Sequence, residues 1–352
     1  MLNLAFDLRF PDLYERAGLL KVDAAFLGML AASDLGLWTR LTSARAQPAR
    51  LDAKAESELL LALSPYMDDF IGALFNIAPA VGRLAERHHE LAPLYEVKRQ
   101  FVQRKAAKAH DAATVASFDG AALGAEIGAL IGAAPADLPA FELAFARHVK
   151  RWSVDEATFA GSLALALRYA AWALQTAAGQ HLHSPGVLFK APRKIDPLTV
   201  IDHVLDRTVR DSGITTFTIR PAHIRRRHGF KLTDDGADLT GALDQANYCI
   251  WCHKQGKDSC STGLKEKPGA DGAMAFKKTV FGVRQAGCPL EEKISEFHMA
   301  KVAGQAIGAL AIITVDNPLA AATGHRICND CMKSCIYQKQ EPVNIPQAET
   351  RT

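Results

Sequence analysis

Hydrophobic positions in the first half of the chain recur every three and four residues, the spacing of helix faces. Phe26, Leu27 and Leu30 share a face of one early helix, and Leu59, Leu60 and Leu63 a face of the next, which Ser64-Pro65 punctuates. From about Tyr66 to Glu90 the series Phe70, Leu74, Ile77, Val81 and Leu84 continues, with Pro79 inside it predicting a kink or break. Pro93 is expected to open a helix carrying Leu94, Val97, Phe101 and Val102. Gly120, Gly124, Gly128 and Gly132 then repeat every four residues. On a helix this makes a groove for a close neighbour, whose packing would offset the roughly 1 kcal/mol that each glycine costs relative to alanine. Helices at about 137–151 and 154–180 complete the expected bundle, residues 1–183.

Ser184-Pro185-Gly186, Pro192 and Pro197 mark a linker over 184–197. Asp196-Pro197-Leu198 predicts a short helix to about Arg210, and Ile214–Ile219 an extended piece rich in β-branched residues. Arg225-Arg226-Arg227-His228 reads as a solvated basic turn, or as a docking site for an acidic partner or a phosphate. Residues 261–287, with Gly263, Gly269, Gly272, Gly282 and Gly287, form an unusually long loop. Pro289 starts a helix lined by Leu290, Ile294 and Phe297. After Gly304, Ile307, Leu310 and Ile313 line another that stops before Pro318. The expected fold class is mainly α, an N-terminal helical bundle followed by a helical domain over 198–352.

Composition changes this picture little. The 352 residues are 49% hydrophobic and 22% charged, as in soluble globular proteins. Residues 1–190 carry 19 Lys/Arg against 20 Asp/Glu, and 191–352 carry 22 against 18, too even to suggest nucleic acid. Gly161–Ala178 is the most apolar run, but Arg168 at its middle would cost about 2.5–3.5 kcal/mol in a bilayer. A buried helix and no membrane span is the expectation. No signal peptide is visible at the N-terminus, which suits a reducing cytoplasm. His88, His89, His110, His148, His181 and His183 follow no ligand spacing.

The chemistry is in the cysteines. All seven lie beyond residue 248: Cys249 and Cys252 as C-x2-C, then Cys260, Cys288 before Pro289, and Cys328, Cys331 and Cys335 as C-x2-C-x3-C. Short C-x-x-C turns offer two thiolates with backbone N–H groups free to bond the sulfurs, which metal–sulfur sites need. A structural zinc could take Cys249, Cys252, Cys328 and Cys331, leaving three thiols unused. Iron–sulfur clusters use more of them, and a Cys-Pro fits a ligand that serves the other cluster of a pair.

The run Ala242-Leu243-Asp244-Gln245-Ala246-Asn247-Tyr248-Cys249-Ile250-Trp251-Cys252 carries a resemblance. So do Cys288-Pro289-Leu290, Asp316-Asn317-Pro318-Leu319, Arg326-Ile327-Cys328 and Val343-Asn344-Ile345-Pro346-Gln347-Ala348-Glu349. In this order they resemble the N-terminal helical iron–sulfur domain of the glutamate synthase small subunit, a domain similar to one in dihydropyrimidine dehydrogenase, over roughly 220–352. The resemblance implies an α-helical ferredoxin-like domain with two [4Fe–4S] clusters. It would place Cys249, Cys252, Cys260 and Cys335 on the first, and Cys288, Cys328, Cys331 and Glu349 on the second. His253, His325, Gln338 and Gln340 are the other candidates for the eighth ligand. The spacing from Cys252 to Cys260 and on to Cys288 is longer than in those relatives, and His325 stands where they have glycine.

What this implies is an electron-transfer module, the front part of a larger oxidoreductase. FAD and NAD(P)H would belong to a following domain or a partner subunit, with a further redox partner possible, because no G-x-G-x-x-G occurs here. The chain holds no complete active site of its own. The alternative is a zinc-stabilised helical adaptor without a redox role.

Overall fold

The computed structural model describes residues 4–199, 204–224, 226–232, 234, 236–267, 274–324 and 328–352, and over these the protein is mainly helical. Arg225 of the basic run, Gly269, Gly272, and His325, Arg326 and Ile327 lie outside them. Helices α1 (Arg16–Ser33), α2 (Leu35–Ala46) and α3 (Ala53–Leu74) enclose a core of Phe26, Leu30, Leu37, Leu41, Leu59 and Phe70. Asp34 and Asp52 begin α2 and α3 by accepting from the N–H groups of Leu37 and Ala55, each at 2.8 Å.

Helix α3 runs straight through Ser64-Pro65, against the expected stop. Pro65 has no N–H for the carbonyl of Leu61, and the Ser64 hydroxyl donates to that carbonyl instead, at 2.9 Å. The break comes at Asn76, with φ 56°, so Pro79 falls in the first turn of α4 (Ala78–Val97), where an N–H is dispensable. Pro93 lies inside α4 rather than opening a helix, and the chain continues as a wider π-type stretch, Lys98–Ala106.

A second core gathers Leu94, Phe101, Phe141, Phe145, Trp152 and Tyr169 between α4, that stretch, α5 (Gly120–Ile131), α6 (Leu138–Trp152) and α7 (Ala160–Gln175). Of the glycine repeat, Gly120 lets α5 approach α7, since a Cβ there would sit 1.9 Å from the Trp172 ring, whereas Gly132, with φ 70°, ends α5. The expected helix over 154–180 begins only at Ala160 and breaks at Thr176, whose hydroxyl caps a further turn. The linker is fastened to this core. Val187, Leu188 and Phe189 are buried in it, and buried Glu142 accepts from the N–H groups of Val187 (2.8 Å) and Leu188 (3.0 Å). The His183 ring lies between Glu142 and the Tyr169 hydroxyl, at 3.4 and 2.9 Å.

In place of the helix expected up to Arg210, Leu205–Val209 (β1) pairs antiparallel with Thr215–Ile219 (β2), Leu205 opposite Ile219. Gly213, with φ 77°, makes the turn that lets Arg207–Val209 pair rather than coil.

The last third contributes α8 (Leu239–Tyr248), α9 (Ile294–Val302), α10 (Ala306–Asp316) and α11 (Ile345–Arg351). Pro289 does not start α9; a turn with Glu291 at φ 53° intervenes. On α10 the buried face is Ala309, Ile312 and Ile313, and Leu310 is exposed. Packing crosses the 184–197 segment at several places. Asp68 of α3 accepts from the Gly308 N–H of α10 at 2.6 Å, and a Cβ on Gly308 would be 2.5 Å from Ser64. Lys98 pairs with Asp244 at 2.6 Å, both side chains largely covered, and the Tyr95 hydroxyl donates to the Thr240 carbonyl. These contacts hold α10 and α8, the latter being the helix that leads into Cys249. No helix among the described residues is long and apolar enough to cross a membrane.

Candidate functional site

Helix α8 delivers the chain to Cys249, whose N–H still bonds the Gln245 carbonyl. Trp251 then takes a left-handed conformation, φ 54°, uncommon for a bulky residue. That turn aims the Trp251 N–H at the Cys249 sulfur, 3.4 Å away, and puts Cys252 at the head of a short helical turn, Cys252–Gln255. Lys254 lies 4.9 Å over the Trp251 ring. First-turn residues of α9 secure this segment: the Ser295 hydroxyl is 2.5 Å from His253 Nδ1, and the Ser57 hydroxyl of α3 donates to Glu296 at 2.5 Å.

The glycine-rich stretch after Cys260 is no open loop. Its described residues double back, the N–H of Leu264 bonding the Gln285 carbonyl and that of Lys277 the Leu264 carbonyl. Cys288 N–H then donates to the Cys260 carbonyl at 2.8 Å, so two cysteines far apart in sequence become backbone neighbours. The return is made by a short helix, Asp330–Ser334, and a strap behind it. Tyr337 stacks on Tyr248 at 4.6 Å and 9°, and the Tyr248 hydroxyl donates to the Glu341 carbonyl at 2.8 Å. This brings Cys335 over Cys249.

The eight candidate residues fall in two groups. Cys249, Cys252, Cys260 and Cys335 all line one small recess, completed by His298 and by Ile and Val side chains of α9, α11 and the strap. All four thiols are buried. Burial pushes Cys249 up to about 12 and Cys252 up to about 11. Cys260 and Cys335 act on one another as a close buried pair, which raises the Cys260 thiol and lowers that of Cys335. The nearby backbone N–H groups of Ile336, Tyr337 and Val343 also lower Cys335. The recess thus presents four sulfurs and the Trp251 N–H donor, and among the described residues no Lys or Arg lines it to balance thiolate charge.

Cys288, Cys328, Cys331 and Glu349 do not line that recess. The charges of Cys288, Cys328 and Glu349 all bear on buried Cys331, whose thiol is raised chiefly by burial. The backbone N–H groups of Leu290 and Glu292 act to lower Cys288 and that of Met332 to lower Cys331, in each case against a larger rise from burial. Glu349 is half-buried on α11, its carboxyl pushed up to about 8 by burial and by the charge of Glu292. Of the other candidates for an eighth ligand, Gln338 bonds Gln285 and the Lys333 and Cys335 carbonyls, Gln340 the Tyr248 hydroxyl, and His253 Ser295. His325 lies outside the described residues. Among the described residues no three Cys, His, Asp or Glu side chains close on one point that would chelate a single ion.

His298 was not singled out by any spacing in the sequence. One imidazole on an apolar helix reads as core. It is fully buried on α9, lines the first recess, and neither ring nitrogen has a hydrogen-bond partner. Leaving a buried polar group unpaired costs about 1–3 kcal/mol. Burial, with the Lys301 charge behind it, holds the ring down at about 3, so it is neutral and keeps one donor and one acceptor.

Fold and site define a helical protein with its thiols gathered in the C-terminal third. The chain belongs to the RP005 family. It is 32% identical over 309 residues to the uncharacterized protein RP005 of Rickettsia prowazekii (strain Madrid E), over 85% of this chain and 98% of that one. Residues 4–76 match the family described as the RP005 N-terminal alpha-helical domain. A stretch of 32 residues, 9% of this chain and 4% of the other, is 75% identical to the uncharacterized protein RP006 of the same organism. No solved structure matches the chain.

This family corrects the resemblance to the glutamate synthase small subunit and to dihydropyrimidine dehydrogenase, neither of which the comparisons return. The misleading elements are short. A helix entering C-x-x-C, a Cys-Pro and an Asn-Pro-Leu are local ways of presenting thiols and ending helices, and such solutions recur on unrelated folds. The grouping of the cysteines therefore rests on the geometry above and not on those proteins.

Proposed function

We propose that this protein is an electron carrier holding two [4Fe–4S] clusters in an α-helical ferredoxin-like domain. The observation that carries the reading is the first recess, where four buried cysteines meet and the Trp251 N–H bonds the sulfur of one of them. Four thiolates crowded in an apolar recess repel one another, and a cationic iron–sulfide core relieves that repulsion. The donor set fits the group. Cys249, Cys252, Cys260 and Cys335 would hold one cluster, and Cys288, Cys328, Cys331 and Glu349 the other. Such clusters supply one-electron transfer when bound. The chain's own part is to bury the sulfurs, donate hydrogen bonds to them and, through the Cys260–Cys288 backbone link, hold the two sites side by side.

Carriers of single electrons draw on a donor that splits electron pairs, so the partner we assign is a flavin- and NAD(P)H-binding domain or subunit. The short stretch shared with a far longer Rickettsia chain fits an element used within larger polypeptides. Free thiols and clusters suit a reducing, cytoplasmic compartment.

Protein purified without oxygen is expected to be brown and to carry about eight iron and eight sulfide per chain. Colourless protein with zinc and no sulfide would sink the reading and leave the structural adaptor.

A further inference from the structure

Among the described residues, His298 is the one polar side chain on the wall of the first recess that is not a proposed ligand and forms no hydrogen bond with the protein. Its position is held from several sides. Ile294 and Phe297 of the same helix are fully buried, Ser295 and Glu296 are tied to His253 and Ser57, and the Phe297 ring lies 4.4 Å from the imidazole. The ring has no exposed surface, so neither nitrogen finds a partner in bulk water. An imidazole kept in such a place needs an acceptor from whatever fills the recess.

We propose that His298 donates a ring N–H hydrogen bond to a sulfur of the cluster held by Cys249, Cys252, Cys260 and Cys335, and so sets that cluster's reduction potential. The proposal rests on the two-cluster reading above. Four cysteines already fill the four ligand places of a cubane, which leaves the imidazole the role of a positioned donor and not of a ligand. An N–H dipole aimed at sulfur stabilises the more negative reduced state, so the donor raises the potential. No spacing rule marks this residue; its burial, its missing partners and its place on the recess wall identify it.

The test uses the full chain, purified anaerobically, in three forms: wild type, His298→Phe and His298→Gln. Redox titration followed by electron paramagnetic resonance should show one cluster's potential falling in His298→Phe and the other's unmoved. His298→Gln keeps an N–H donor and should lie close to wild type, with iron and sulfide content equal in all three. With nitrogen-15 histidine, pulsed spectra of the reduced wild type should show a nitrogen coupling that both variants lack. Unmoved potentials in a loaded His298→Phe protein, or a coupling that survives the substitution, would overturn the proposal alone. Cluster loss in both variants would make the residue structural and overturn it too. Wild-type protein without iron and sulfide would overturn this proposal together with the reading beneath it.

Discussion

The amide of Cys288 donates a 2.8 Å hydrogen bond to the carbonyl of Cys260, so the two groups of cysteines are joined through the backbone. Gly287 makes this possible. It has φ 87°, and a Cβ there would stand 2.4 Å from the Ser261 carbonyl oxygen and 2.5 Å from the Gly263 nitrogen. Neither obstacle is a flexible side chain.

Gly287→Ala should therefore destabilise the protein by at least about 1–3 kcal/mol, the cost of forcing alanine into the left-handed region, with the backbone clash added. Because both groups lean on this link, iron should fall in both clusters. Gly282 offers the control, with a similar φ of 77° and open space around it. Gly282→Ala should cost less and leave the iron in place. Thermal melts and iron assays of the two variants check this, and equal behaviour would show that the link does not matter.

Lys301 makes a prediction about pH. It is 1% exposed on α9, and burial, with the charge of Arg351, lowers its ammonium from 10.5 to about 8. A base depressed in the folded state binds its proton more readily unfolded, so its penalty is full below about pH 8 and lifts as the pH rises towards 10.5. That lowering corresponds to an upper figure of about 3 kcal/mol. Lys301→Met, of similar length and without charge, should raise stability at neutral pH by about 1–3 kcal/mol. It should also flatten the rise in stability above pH 8, measured by denaturant midpoints across that range. A variant less stable than wild type at pH 7 would mean that the ammonium has a favourable role.

Much of this arrangement was legible in the sequence, and the losses have physical causes. Helical spacing found α1 and α3 through their buried Phe26, Leu30, Leu59 and Phe70, but divided α4 between two expected helices, because Val81 and Leu84 lie outside its buried face and Pro93 was read as an opening. It misplaced their ends because proline was read as a stop. At Pro65 a serine hydroxyl supplies the missing donor, and at Pro79 the first turn needs none. The β1–β2 hairpin was half missed because Leu205–Val209 owes its form to a partner strand and not to its own pattern. Residues 261–287 read as loop because glycine marks turns without saying what the turns bring together. The cysteine grouping in space follows from contacts such as Tyr248 on Tyr337 and Cys288 on Cys260, which no spacing encodes.

Glu349 gives the most direct test of the second site. Three cysteines leave a cubane one donor short, and this carboxylate bears on Cys331 from α11. None of the described residues hydrogen-bonds it, and Gly324 leaves it room, since a Cβ there would come within 3.2 Å of Glu349 Oε1. Burial and Glu292 hold its carboxyl towards the neutral form, an expense that a bound metal would cancel by favouring the carboxylate. Glu349→Ala should lose about half of the iron and sulfide, leaving the first cluster's spectrum intact. Glu349→Cys, which restores a four-thiolate set, should retain both clusters and lower the potential of the second, because a thiolate gives more charge to iron than a carboxylate. Anaerobic iron and sulfide assays with electron paramagnetic resonance read both outcomes. Full iron content and unchanged spectra in Glu349→Ala would rule out the ligand role and return it to the other candidates, His325, Gln338 and Gln340.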